Sequence, residues 1–209
     1  MVKVIGPLGG FDASGSLAGS IVFSKWKGRN YVRRLVKPSN PKSGGQVGVR
    51  SMFAFLAQQW AGISTANKAT WNARADSATI SPFNAYMSFN QFNWRNGLPP
   101  TMAYPAAQSG TADAINTFTA TAGIRQITIT LSTTVVADLN WGFTIYRSTV
   151  TAFTPGITNA VKVLTGDSST NVTFVDTPLV PDTYYYDARP FDEDQVFGAL
   201  KGEINATVT

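Results

Sequence analysis

The sequence predicts an α+β N-terminal domain, a β-hairpin plus about three helices, followed by an all-β sandwich. Three observations predict it. Hydrophobic periodicity changes from three- and four-residue steps before Gly97 to strand-like alternation after Asn116. The Gly- and Pro-rich stretch GLPPTMAYPAAQSG (Gly97–Gly110) lies between the two patterns, where a linker is expected. Charge changes at the same place: residues 1–104 hold 12 Lys and Arg against two acids, a net of +10, whereas residues 105–209 hold five against ten, a net of −5. The expected domains are therefore 1–104 and 105–209.

The elements follow in order. Residues 20–37 read as a hairpin, because Ile21 and Phe23 alternate with polar residues, Lys27-Gly28-Arg29 supplies a turn and Tyr31-Val32 resumes the strand. Pro38 and Pro41 close it. A first helix is expected from Ser43 to Ala61, where Val49, Met52, Phe53, Leu56 and Trp60 recur at helical steps before Gly62. Ser64 caps a second helix carrying Trp71. Ser81-Pro82 is an N-cap followed by proline at the first helical position, opening a third helix with Phe83, Tyr86, Met87 and Trp94 that Gly97 closes. Trp26, Trp60, Trp71 and Trp94 all lie in this half and read as core residues before ligand platforms. In the second half, residues 126–132, 141–148, 172–176, 183–188 and 202–208 read as strands. Seven or so short strands in about 95 residues describe a sandwich.

Composition narrows the function. The 209 residues contain no Cys and no His. Disulfides, zinc–thiolate sites and cysteine nucleophiles are thereby excluded, and the usual general base and commonest metal ligand are missing. The expectation is a protein that is not an enzyme and carries no cofactor. Gly and Pro break the N-terminus before an apolar signal core forms, and no apolar run approaches the roughly 20 residues a bilayer requires. A soluble protein made in the cytoplasm is expected, and the Asn-x-Thr sequons at Asn171 and Asn205 read as ordinary strand-edge residues. Asp192-Glu193-Asp194 reads as a solvated turn before a calcium or partner contact.

Two resemblances bear on this reading. NWGFTIYRSTVTAFTP and TFVDTPLVPDTYYYDARPFDEDQVFG resemble a fibronectin type III domain of the immunoglobulin-like class, with Leu179, Pro181, Thr183 and Tyr184 at the corner between its fifth and sixth strands. The resemblance implies that the Tyr184 hydroxyl bonds back to nearby backbone. Trp141, Asp187 and Pro190 depart from that pattern. The N-terminal half, over roughly residues 9–97, is similar to an uncharacterised family of bacterial and phage proteins. The motifs are GGF (Gly9–Phe11), GS-x(4)-KWKG-x(2)-Y-x-R (Gly19–Arg33) and NPKSGGQVGVRSMF (Asn40–Phe53). The matched residues are Trp26, Lys27, Gly28, Tyr31, Arg33, Asn40, Pro41, Gln46, Arg50 and Phe53. That resemblance implies a bacteriophage or prophage setting and a virion component, and no activity.

The segment Phe23–Arg50 holds eight Lys and Arg and no acid. Its candidate partner-docking residues are Lys25, Trp26, Lys27, Arg29, Tyr31, Arg33, Arg34, Lys37 and Arg50. Three functions compete. The first is a virion structural protein, a capsid decoration or other surface accessory, whose basic half docks on an acidic virion neighbour in the capsid, neck or tail. In that reading opposite charges also favour a homo-oligomer or lattice. The second is nucleic-acid binding through cations interleaved with Trp26 and Tyr31, though no helix-turn-helix, RNP or zinc signature is present. The third is a glycan-binding module, disfavoured because the N-terminal half offers only Asp12 and Asp76 as carboxylates.

Overall fold

The structure is a computed structural model that describes residues 3–5, 12–27, 29–40, 42–133, 141–166 and 172–209. Two compact units are present, Met1–Pro41 and Lys42–Thr209.

The first unit is an antiparallel sheet of β1 (Lys3–Ile5), β2 (Asp12–Leu17), β3 (Ile21–Trp26) and β4 (Arg29–Arg34), in that order. The expected hairpin is its β3–β4 half. Strands β1 and β2 lie outside the expectation, because Ser, Gly and Ala in DASGSL give no hydrophobic alternation to read. Gly9–Phe11, Gly28 and Pro41 of the matched motifs fall outside the described residues.

The second unit begins with α1 (Gly44–Gly62), α2 (Thr65–Thr70), α3 (Asn72–Ala78) and α4 (Pro82–Arg95). Two expected caps are made: Ser64 Oγ accepts from the Asn67 N–H and Ser81 Oγ from the Asn84 N–H, each at 3.2 Å. The single helix expected around Trp71 is instead two short ones, because Trp71 sits at the break between α2 and α3. Its ring is fully buried and its Nε1–H donates to the Met102 carbonyl at 3.0 Å.

Strands β5 (Ile115–Gly123), β6 (Gln126–Thr133) and β9 (Val172–Asp176) form one antiparallel sheet, ordered β5-β6-β9. The other, ordered β11-β10-β7-β8, contains β7 (Gly142–Ser148), β8 (Ala160–Thr165), β10 (Asp182–Phe191) and β11 (Ile204–Val208). Between the sheets lies a core of Ile127, Ile129, Leu131, Phe143, Ile145, Tyr186 and their neighbours. The expected back-bond is made: the Tyr184 hydroxyl donates to the Val180 carbonyl at 3.1 Å. Among the described residues, no helix is long and apolar enough to cross a membrane.

The four-stranded sheet is covered on its other face as well. Met52, Phe55, Leu56 and Tyr86 of α1 and α4 share a second core with Trp141, Tyr146, Ala160, Val163 and Phe191 of the sandwich. Phe55 packs edge-on against Trp141 and Phe191, with ring centroids 5.2 and 5.4 Å apart. A sheet buried on both faces needs apolar residues at consecutive positions, and Gly142–Tyr146 are all buried. The compact units therefore divide at Pro41/Lys42, whereas the charge-based reading divides at 104/105: the helices and the sandwich share one aromatic core.

The expected linker is part of this packing. The Thr101 N–H donates to Asn90 Oδ1 at 2.7 Å and Asn90 Nδ2 returns a bond to the Thr101 carbonyl at 3.0 Å, both buried. The Met102 and Gln108 N–H groups donate to the Glu193 and Asp194 carbonyls at 2.9 and 3.0 Å. The Asp192-Glu193-Asp194 turn is consequently not solvated at its head. Asp192 is buried, and its Oδ1 accepts from the Asp194 and Val196 N–H groups at 3.0 and 2.8 Å. Gly-Pro composition signals irregular backbone, not exposure.

Candidate docking surface

Residues directly opposite one another in an antiparallel pair share a face, and successive residues alternate. The β3–β4 register pairs Val22 with Arg33 and Ser24 with Tyr31, which sets Trp26, Tyr31 and Arg33 on one face. It pairs Ile21 with Arg34 and Phe23 with Val32, and β2 adds Leu17 opposite Ile21. The second face therefore carries Leu17, Ile21, Phe23 and Val32, with Lys25 and Arg34 at its ends.

Trp26 is 65% exposed and Val32 60%, and none of the described side chains of this unit is buried. The Lys27 ammonium lies 4.9 Å from the Trp26 ring centroid, a cation–π contact at the turn. Lys37 is exposed beyond β4. Arg29 opposes Trp26 in the backbone register, and its side chain is outside the described residues. Arg50 is exposed on α1 in the other compact unit. The sheet thus carries Lys25, Trp26, Arg29, Tyr31, Arg33 and Arg34 on its strands, while Lys27 lies at the β3–β4 turn, Lys37 follows β4 and Arg50 belongs to the other unit. Leu17 and Val32 were missed as contributors, because only the strand register reveals that they share a face.

The charge distribution sharpens when counted by unit. Residues 1–41 hold seven Lys and Arg against Asp12, a net of +6, and residues 42–209 hold ten against eleven acids, a net of −1. The acidic sandwich is largely offset by the basic helices fused to it.

The chemistry available here is contact, through cations that bond carboxylate or phosphate oxygens and rings that stack or bury. Among the described residues, no group of three or more Asp and Glu could hold a metal ion. The carboxylates with raised pKa values lie in the second unit. Burial raises Asp187 and Asp192, while backbone N–H donors pull each the other way. Asp187 Oδ1 accepts from the Ala188 and Gly202 N–H groups at 2.7 and 3.1 Å, a bond set that ties the β10–β11 connection together.

A small exposed sheet joined to a helix-covered sandwich defines an α+β protein with mostly antiparallel strands. The chain belongs to DUF6266, a family of unknown function, whose model matches residues 13–135. No curated protein matches its sequence. Among solved structures, a β-1,2-glucanase from Parabacteroides distasonis is similar over 47% of this chain at 17% identity and a TM-score of 0.33. The matched part spans 14% of that enzyme. The PKD domain of an M14-like peptidase from Thermoplasmatales archaeon SCGC AB-540-F20 is similar over 46% of this chain and 98% of its own length, at 21% identity and a TM-score of 0.28.

Proposed function

We propose that the protein is a non-enzymatic structural component of a bacteriophage virion, a capsid decoration or other surface accessory. It docks through the basic β1–β4 sheet on an acidic virion neighbour and presents a fibronectin type III-like sandwich. One observation carries the reading: the sheet has net charge +6, exposes Trp26, Tyr31, Leu17 and Val32, and buries none of its described side chains. A four-stranded sheet whose described side chains form no core of their own gains stability against another surface, and apolar residues rimmed by like charges suit an oppositely charged one. The three-strand and four-strand sheets with the Tyr184 back-bond support the fibronectin-like reading of the sandwich.

A second reading, nucleic-acid contact, is favoured by Trp26, Tyr31 and Arg33 sharing one face, where rings can stack on bases beside a phosphate-binding cation. Gel filtration with light scattering at low and high salt tests both. Discrete oligomers or assemblies that dissolve as salt rises, and that Arg33→Glu prevents, are expected. A monomer at every salt, with salt-dependent DNA binding that Arg33→Glu abolishes, overturns the structural reading in favour of the second.

A further inference from the structure

A cleft of about 490 Å³ lies within the second unit, where α1 meets the edges of both sheets. Its walls are the start of α1 with Lys42 before it, Val161 and Lys162 of β8, and the consecutive residues 174–178 running out of β9. Successive strand residues point to opposite faces, so a cleft lined by Phe174, Val175 and Asp176 in a row runs along the strand's edge. That edge is open: β9 is last in its sheet, and among the described residues no strand pairs with its outer side. The edge of β8 is treated differently, since Ser51 Oγ on α1 accepts the Val163 N–H at 2.6 Å. The cleft also carries Lys42, Arg50, Arg147 and Lys162 against one carboxylate, Asp176. That carboxylate is already engaged, its Oδ2 accepting from Arg147 at 2.7 Å and from the Tyr186 hydroxyl at 2.9 Å.

We propose that this cleft takes an extended acidic peptide segment of a partner protein by strand addition to the open edge of β9. The inference rests on the reading above that the partner is acidic. Backbone groups along β9 give such a segment its hydrogen bonds, and alternate side chains meet different walls. Carboxylates on one side of the segment face Lys42 and Lys162. Small apolar residues on the other meet Val175, which is 45% exposed, while Phe174 on the opposite face packs against the core between the sheets. A small anion would use the cations and leave the strand edge idle, whereas the peptide uses both.

The test is fluorescence anisotropy on the full chain with a labelled octapeptide alternating glutamate and valine. Three further probes accompany it: the same peptide N-methylated at alternate backbone nitrogens, a lysine–valine counterpart, and inorganic phosphate as competitor. The glutamate peptide is expected to bind and the lysine peptide not to. N-methylation, Lys162→Glu and Lys42→Glu are each expected to weaken binding about tenfold or more. Lys42 is exposed ahead of α1, so its variant decides the outcome if Lys162→Glu perturbs the fold. Absence of binding, equal binding of the N-methylated peptide, or displacement by equimolar phosphate overturns the proposal. A chain that forms salt-sensitive assemblies but ignores the peptide shows that the cleft inference alone has failed. A chain that binds the peptide but never assembles shows that the structural reading alone has failed.

Discussion

Asp176 holds together groups from three strands. It ends β9, takes the Arg147 guanidinium from β7 and caps the buried Tyr186 hydroxyl from β10. Tyr186 is fully buried and Arg147 is 30% exposed, so removing the carboxylate strands one polar group in the interior and leaves a cation at the cleft wall. Asp176→Ala is expected to cost about 3 kcal/mol in urea unfolding. Asp176→Asn, which keeps an acceptor for Tyr186 but drops the charge, is expected to cost about 1 kcal/mol. Equal losses in the two variants would mean that the ion pair, not the tyrosine bond, supplies the stability. None of this was legible in the sequence. Asp176 sits in a readable strand, but its partners are 29 and 10 residues away and only the sheet order brings them together.

At the scale of elements, glycine placement explains how α1 approaches the sandwich so closely. A Cβ on Gly44 would collide with the Thr158 carbonyl oxygen, and one on Gly48 would lie 3.0 Å from the Ile157 oxygen and 3.1 Å from the Ala160 Cβ. Gly45, between them, faces open space. Alanine favours a helix interior over glycine by up to about 1 kcal/mol, and by less in the first turn where Gly44 and Gly45 lie, so propensity alone predicts a gain and no loss at each of the three. We expect instead that Gly45→Ala raises stability by up to about 1 kcal/mol. Gly44→Ala is expected to lower it by about 1–3 kcal/mol, because a packed backbone must shift. Thermal unfolding of both variants checks this, and a stabilised Gly44→Ala would mean that the helix start is loosely docked. The helices themselves were legible from caps and periodicity, as were most strands of the sandwich. β5 and β8 were not: in AVKVLT a lone Lys separates two apolar pairs, so no alternation shows, and a register shift interrupts its pairing with β7. The Gly97–Gly110 stretch misled for a related reason, since its ordering comes from Asn90 and the 192–196 turn, which no local pattern announces.

At the scale of the whole molecule, the buried tyrosines set the alkaline limit of the fold. Burial pushes the Tyr146 phenol up to about 12, and burial also raises Tyr86 and Tyr186, the latter helped by the Asp176 charge. In the unfolded chain each phenol ionises near 10. Above that pH the unfolded state has released protons that the folded state still holds, so stability falls as pH rises. The contribution is complete below about pH 10 and is lost on the way up through the folded values, each tyrosine adding a slope of up to about 1.4 kcal/mol per pH unit. Denaturant midpoints are therefore expected to hold steady as far as these groups are concerned up to about pH 10 and then to drop steeply, with Tyr146→Phe removing about one third of the tyrosine-linked slope. Phenolate absorbance gives the independent reading: for these three side chains it should appear with unfolding and not before. Because Tyr86 belongs to the helix layer and Tyr186 to the core between the sheets, with Tyr146 on the sheet that both layers share, a single coincident transition would also show that helices and sandwich unfold as one unit. Two transitions, one per layer, would instead favour the division at residue 104 that the charge pattern suggests.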